Sequence, residues 1–417
     1  MQHFRISRWS AAVLFACTAA SAQNVVADWD TIASTTIVTN AGQPPGAAAI
    51  WFAYTSIAVY DAVNAVHHHP FQPFYYRGFA RGEASDQAAA AAAAHRVLVH
   101  YFPHQEASLN AQFNNSLNAI AADRRAKAEG VEVGEAAAAE LIEAREGDGL
   151  EADVPYTPGS GPGDWQPTLP KSTPALTPWL GKMRPFTMRS ADQFLPEGPT
   201  PLSSEEWVAD YNLTRLFGAA NSSLRTPPQT EIGLFWTVNT AQQYSDVFND
   251  LAGHYKLNLM DSARLLAILW TGFADTGISC FNAKYTYGFW RPVTAIPAGG
   301  GNSELQADPS WLPLGTTPSH PEYPAAHGCI TSAVSHLVTD YFGTHKVHVV
   351  VKAALTDGVH THTFEDTRDW LNEVYWARIF AGFHFNHSLQ DGEELGRQVA
   401  AQLFRNHFRP DRHGRDW

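Results

Sequence analysis

Cysteine is scarce, with three residues in 417, and Cys17 falls in an N-terminal stretch that reads as a leader. The remaining pair, Cys280 and Cys329, allows one bridge at most, which excludes a disulfide-held scaffold. Basic charge is short as well. Without the leader the chain carries 26 Lys and Arg against 41 Asp and Glu, a balance that argues against nucleic acid as partner. Any anion-binding site must be a local basic pocket set against that field. Long apolar runs are also missing. The stretch Ala11 to Ala20 is about half the ~20 residues that cross a bilayer, and no later segment reads as a transmembrane span. Instead Arg5 and Arg8, that short apolar stretch, and Ala20, Ser21 and Ala22 have the anatomy of a cleaved secretory signal. Residues 1–22 are therefore set apart, and export to the periplasm or medium after cleavage near Ala22 is expected.

Alternating strand patterns are absent by eye, and no fixed-length repeat appears. Helical spacing is abundant: "AAAIWFAYTSIAVYDAVNAVHHH", "SDQAAAAAAAHRVLVHYF", "EASLNAQFNNSLNAIAADRRAKAEG" and "GEAAAAELIEAREG" are rich in Ala and Leu with apolar residues three and four apart. They predict an N-terminal helical layer over 47–147, with the alanine run at 88–94 serving close helix packing. His67 to His69, before Pro70, read as a solvated helix end rather than a metal site. Residues 148–203 are dense in Pro, Gly and aromatics, which predicts a long ordered excursion that could line a substrate channel. Ser203 to Glu206 could form a capping box, or Ser204 a plain N-cap. Further helices are expected near 228–252, 260–283, 325–343, 364–382 and 388–406. The expected fold class is all-α: fused helical bundles, with 23–203 as the N-terminal part and 204–417 as the C-terminal bundle of one compact unit.

Three segments carry more polar function than packing needs. In "KYTYGFWRP", Lys284 and Arg291 are seven apart, on one face if the helix persists. Alone they would read as a solvated basic face, but Tyr285, Tyr287, Phe289 and Trp290 make the stretch half-buried, and two cations there call for an anion. In "HPEYPAAHGC", Pro321 and Pro324 stiffen the approach to a helix whose first turn holds His327 and free backbone N–H groups. In "WARIFAGFHFNHSLQDGEELG", Arg378 and His384 flank Gly382, which permits close backbone approach or ends the helix. His360 and His362 in "VHTHTF" lack a third ligand at fixed spacing and read as a loop before a helix capped by Thr363.

In order, Lys-x6-Arg-Pro, Tyr-Pro-x-x-His and Arg-x3-Gly-x-His resemble the vanadium-dependent haloperoxidases and the type 2 phosphatidic acid phosphatase superfamily that contains them. "AVYDAVNAV" and "GPGDWQPT" look like the exported bacterial branch. The resemblance implies a haloperoxidase or acid phosphatase-like helical fold, in which Lys284, Arg291, Arg378 and the Ala326 amide surround vanadate or phosphate. His384 would be the nitrogen ligand to vanadium or, in a phosphatase, the nucleophile that becomes phosphohistidine. His327 would exchange protons with the opposite apical oxygen. As a peroxidase the chain would oxidise halide with hydrogen peroxide, Lys284 polarising the oxidant; as a phosphatase it would hydrolyse a phosphate ester without metal. A third reading is a catalytically silent helical oxyanion-binding protein.

The sequence departs from the family in two places. Pro324, Ala325, Ala326 and His327 stand where the family has Pro-Ser-Gly-His, which removes a hydroxyl worth ~1–3 kcal/mol to a buried charged acceptor. Ser388 stands where many relatives carry an aspartate that orients the apical histidine, leaving Asp391 one turn on as a possible substitute. His320 and Glu322 are extra polar groups, and His320 could tune halide or proton access. Cys280 precedes Lys284 by four and Cys329 follows His327 by two, so both approach the same pocket, and a disulfide joining two site segments is expected.

Overall fold

The computed structural model describes residues 24–168 and 172–411; the leader expected over 1–22 lies outside them. Helices dominate: α1 (Val25–Ser34), α2 (Pro45–Val66), α3 (Asp86–Tyr101), α4 (Glu106–Ala119) and α5 (Arg124–Arg145) form the N-terminal layer. After the excursion come α6 (Glu205–Phe217), α7 (Pro227–Phe235), α8 (Thr240–His254), α9 (Leu259–Tyr287), α10 (Pro292–Ala295) and α11 (Ala326–Phe342). The chain closes with β1 (Val349–Leu355), β2 (Gly358–Phe364), α12 (Thr367–Phe380) and α13 (Asn386–Asn406).

The core is built around α2 and α9, whose apolar residues point in every direction because both helices are buried all round. By length and composition α2 alone among the described helices could cross a membrane, contrary to the reading of the sequence, yet it is buried inside the fold. Phe52 of α2 stacks on Trp270 of α9 at 3.9 Å between centroids, and Trp270 Nε1 donates to Asp30 Oδ1 at 2.7 Å. Burial pushes the Asp30 carboxyl up to about 7. The alanines of α3 are buried against α2 and α5, since a methyl group lets backbones approach closely. One apolar cluster runs from Val25 to Phe408, so both halves of the chain share it.

The excursion is pinned at several points. Trp165 N–H donates to Gly288 O at 2.7 Å and Trp290 N–H to Gly163 O at 2.9 Å. Phe186 and Thr187 give their N–H groups to the buried Asp275 carboxylate of α9. Ser204 caps α6 as a plain N-cap, accepting from Trp207 N–H.

Three local expectations need correction. The helix expected over 228–252 is two helices, because Asn239 accepts the N–H groups of Ala241 and Gln242 and starts α8 afresh. His69 is no solvated cap: it is buried between Asn64 and Gly78 O. The helical fold also carries one hairpin, in which β1 and β2 pair antiparallel with Val351 opposite His362. "VHTHTF" is thus a strand, and α12 begins later, with Asp366 rather than Thr363 as N-cap. The alternation was masked because Val350 and Ala354 put apolar side chains on the outer face of β1, while both faces of β2 are largely polar.

That hairpin is held by a ladder of imidazoles and carboxylates. His360 bonds Glu231 and Asp357 at 3.0 Å each, and His362 bonds Glu373 at 2.6 Å and Glu231 at 3.1 Å. Every ring nitrogen faces a carboxylate, an arrangement that suits imidazolium. At His360 the hydrogen bond to Asp357 leads the upward pKa shift; at His362 burial pulls down but the contacts with Glu373 and Glu231 outweigh it. A raised folded pKa contributes stability below the unfolded value of ~6.5 that is lost as pH rises through the folded one. Thermal unfolding from pH 6 to 8.5 is therefore expected to show a steeper loss in wild type than in a His360→Asn, His362→Gln double variant. Parallel curves would mean that the ladder adds nothing to stability.

Candidate functional site

Each site residue is delivered by the end of an element. Helix α9 carries the wholly buried Lys284 in its last turn and stops at Gly288, whose φ of +56° forms a left-handed cap with its N–H on Lys284 O. Lys284 and Arg291 therefore do not share a helical face as the spacing suggested. Arg291 is the N-cap of α10 and returns to the site around the turn. Gly382, φ +74°, reverses the chain after α12; a Cβ there would stand 2.5 Å from Gly218 O. The turn sets Arg378 before it and His384 after it at one place.

A cavity of about 330 Å³ opens there, lined by His320, His327, Ala326, Arg378 and His384, with an apolar wall that includes Phe281 and Phe383. Leu176 and Thr177 of the excursion also line it, so the segment expected to border a channel does so at one point. The Ala326 amide opens α11, and Ala325, wholly buried, takes the N-cap place without any side-chain cap bond.

Lys284 corrects the expectation most sharply. Its ammonium donates to Pro321 O, Glu322 O and Pro324 O at 2.9, 2.8 and 2.6 Å. All three protons are committed to the loop, so the residue supplies charge from behind it rather than a direct contact. Arg291 donates from Nη1 to His384 Nε2 and to Phe383 O, both at 3.0 Å, and from Nε to His320 O at 2.9 Å. Its Nη2 meets His320 Nδ1 at 3.0 Å. The Arg378 guanidinium donates to Trp236 O and lies 4.8 Å from the centre of the Phe383 ring; its Nε has no partner. His327 Nε2 lies 2.8 Å from Thr240 Oγ1, at the start of α8.

Positive charge is in surplus here. Burial drives Lys284 down to about 8, Arg291 to about 10 and Arg378 to about 9, and the Arg291 charge adds to the effect at the other two. Burial first, then the same cations, holds His320, His327 and His384 far below the ordinary imidazole range, hence neutral. The carboxylate among them is Glu322, wholly buried.

Glu322 is also the residue that reading the sequence undervalued. Its Oε1 accepts from His384 Nδ1 at 2.8 Å and from Phe385 N–H at 3.0 Å. Asp391, expected as a substitute orienter, instead accepts from Tyr323 OH at 2.5 Å. Ser388 Oγ has no partner, and Ser388 O accepts from Ala325 N–H at 2.9 Å. His387 and Asp210 were missed altogether: His387 Nδ1 bonds Asp210 Oδ2 at 2.6 Å, and the repeat His384-x-x-His387 was the available signal. Cys280 and Cys329 are free, buried thiols rather than a bridge. The Cys280 thiol is turned toward Pro324 O at 3.7 Å.

These features define a helical-bundle protein with a buried pocket where cationic side chains and neutral histidines gather. Residues 264–410, which include every residue of the three motifs, match the family described as the VCPO second helical-bundle domain. Vanadium chloroperoxidase of Curvularia inaequalis is 27% identical over 198 residues, covering 40% of this chain and 32% of that protein. The chain thus spans about a third of the length of this curated relative. A bacterial vanadium-dependent iodoperoxidase structure superposes with a TM-score of 0.79 at 21% identity, over 93% of this chain and 97% of that one. The holo form of a bacterial vanadium-dependent chloroperoxidase gives 0.69 at 16% identity, over 88% and 92%. Residues 264–410 thus match the helical-bundle domain of this family, and the fold of the chain is that of the vanadium haloperoxidases.

Proposed function

We propose that the chain is a vanadate-dependent haloperoxidase that oxidises halide with hydrogen peroxide after export from the cell. The observation that carries this reading is the charge surplus: buried Arg378 and the neutral His320, His327 and His384 line the cavity, buried Arg291 bonds two of those histidines, buried Lys284 holds the adjoining loop, and Glu322 is the one carboxylate among them. A buried cation without a counter-charge is costly, and the negative charge of a bound oxyanion offsets that cost. The donor set fits such a group, since Arg378 Nε is buried and unpartnered.

Arg378 and Arg291 would hold oxygens of the bound oxyanion, with the Ala326 N–H as a further donor and the Lys284 charge behind the loop. His384 Nε2 would be the nitrogen that holds vanadium. Bound vanadate supplies Lewis-acid activation of peroxide. His327, neutral and tied to Thr240 through Nε2, has Nδ1 left to take the proton that peroxide loses and return it to the departing oxygen. The apolar wall keeps bulk water away from this exchange.

A second reading, a metal-free phosphomonoesterase, is favoured by the contact between Glu322 and His384, because a carboxylate-backed neutral imidazole is also a competent nucleophile. The deciding experiment strips the purified protein of oxyanion, adds orthovanadate, and measures peroxide-dependent bromination and iodination beside hydrolysis of an aryl phosphate. Halide oxidation that appears with vanadate is the expected result. Hydrolysis confined to the vanadate-free sample would establish the phosphatase instead. Silence in both assays, with His327→Ala binding anions like wild type, would leave a binding protein.

A further inference from the structure

We propose that Glu322 is a positioning residue that locks His384 into its Nδ1–H tautomer and so keeps Nε2 unprotonated, the state that ligation of an oxyanion requires. The proposal rests on the role given to His384 above. A neutral imidazole carries one proton and one lone pair, and which nitrogen holds which is set by its partners. On one side of His384 stands the Arg291 guanidinium, which can only donate, at 3.0 Å from Nε2. On the other stands the Glu322 carboxylate at 2.8 Å from Nδ1. In the Nδ1–H form both contacts are hydrogen bonds. In the Nε2–H form two donors face each other across one contact and two lone pairs across the other.

The lock is itself held in place. Glu322 Oε1 also accepts the Phe385 N–H, the amide directly after His384, so carboxylate and imidazole are referenced to the same stretch of backbone. The Glu322 N–H donates to Phe289 O at 2.8 Å, and its carbonyl receives the Lys284 ammonium. Its Oε2 is buried without a partner. An acid held only for packing would be poorly placed there, whereas one that must present an acceptor to His384 needs just the single oxygen. The neighbouring candidates are engaged elsewhere: Asp391 by Tyr323, and His387 by Asp210.

The test uses the full chain labelled with 15N-histidine, the His384 signals being assigned by their loss in His384→Gln. Wild type at pH 7 should show a protonated Nδ1 and an unprotonated Nε2 on His384. Glu322→Gln, whose amide oxygen still accepts, should keep that tautomer and lose less than about tenfold in orthovanadate affinity. Glu322→Leu should mix the tautomers and weaken orthovanadate binding roughly 10- to 100-fold, the usual effect of removing a ligand's outer partner. An Nε2–H or doubly protonated His384 in wild type overturns the proposal. So does a Glu322→Leu variant with an unchanged tautomer and affinity within about twofold of wild type. Should that variant not fold, the wild-type spectrum still decides. A wild type that binds no orthovanadate would defeat the oxyanion reading, whereas the tautomer seen in its spectrum decides the role of Glu322 separately.

Discussion

Arg378→Met should weaken orthovanadate binding by about 2–5 kcal/mol, the cost of removing one partner from a buried charge contact, which is roughly thirty- to several-thousand-fold. Arg378 is the site cation whose donors are least committed within the protein, with one contact to Trp236 O and an unpartnered Nε. The same change should scarcely harm the anion-free fold. Burial and the neighbouring Arg291 already disfavour its charge, pulling the guanidinium down to about 9, so methionine removes a penalty while costing Trp236 O its donor. Calorimetric titration with orthovanadate, beside thermal unfolding without it, reads both quantities. The expectation is a large affinity loss with an anion-free stability change of about 1 kcal/mol or less. Unchanged affinity with a large stability loss would assign Arg378 to packing.

A different part of the molecule should show the opposite pattern. Asp148→Ala is expected to destabilise the chain by about 3–5 kcal/mol, because it strands a buried arginine. Arg145, at the end of α5, meets Asp148 at 2.6 Å, and both side chains are 1% exposed. Arg145 also holds Pro185 O and Arg184 O, so the pair fastens the excursion on both sides of its long loop. Tyr54 OH completes the cluster. Urea unfolding would measure the loss, and an Arg145→Met, Asp148→Leu double variant should recover part of it by leaving no charge buried. A single-variant loss below about 1 kcal/mol would mean that the pair is dispensable.

Much of the helical architecture was legible because α2, α3 and α9 are long runs rich in apolar and helix-forming residues, while α13 spaces its apolar residues three and four apart. The hairpin was not, since Val350 and Ala354 put apolar side chains on the outer face of β1 and blur the alternation that Lys352 alone marks. The three motifs named residues that do converge, yet the geometry inferred from spacing failed at Lys284 and Arg291. Gly288 lay between them, and its left-handed cap turned a presumed continuous face into two elements. Glu322 was seen only as an extra polar group because no local pattern links it to His384, 62 positions away. Asp391 looked better placed in sequence, but α13 turns it toward Tyr323. Side-chain partnership across such separations is set by how helices pack, and a linear reading carries little of that.

The three carbonyls gathered by Lys284 have a bearing on how the site comes into being. A loop that wraps an ammonium on a core helix cannot take its shape before that helix is in place. The pocket is therefore not a detachable insert: grafted onto another bundle without a lysine at the matching height, "HPEYPAAHGC" would lose the point about which it is wound. Substitutions deep in α9 should accordingly be felt first as a loss of pocket shape, ahead of any loss of helix.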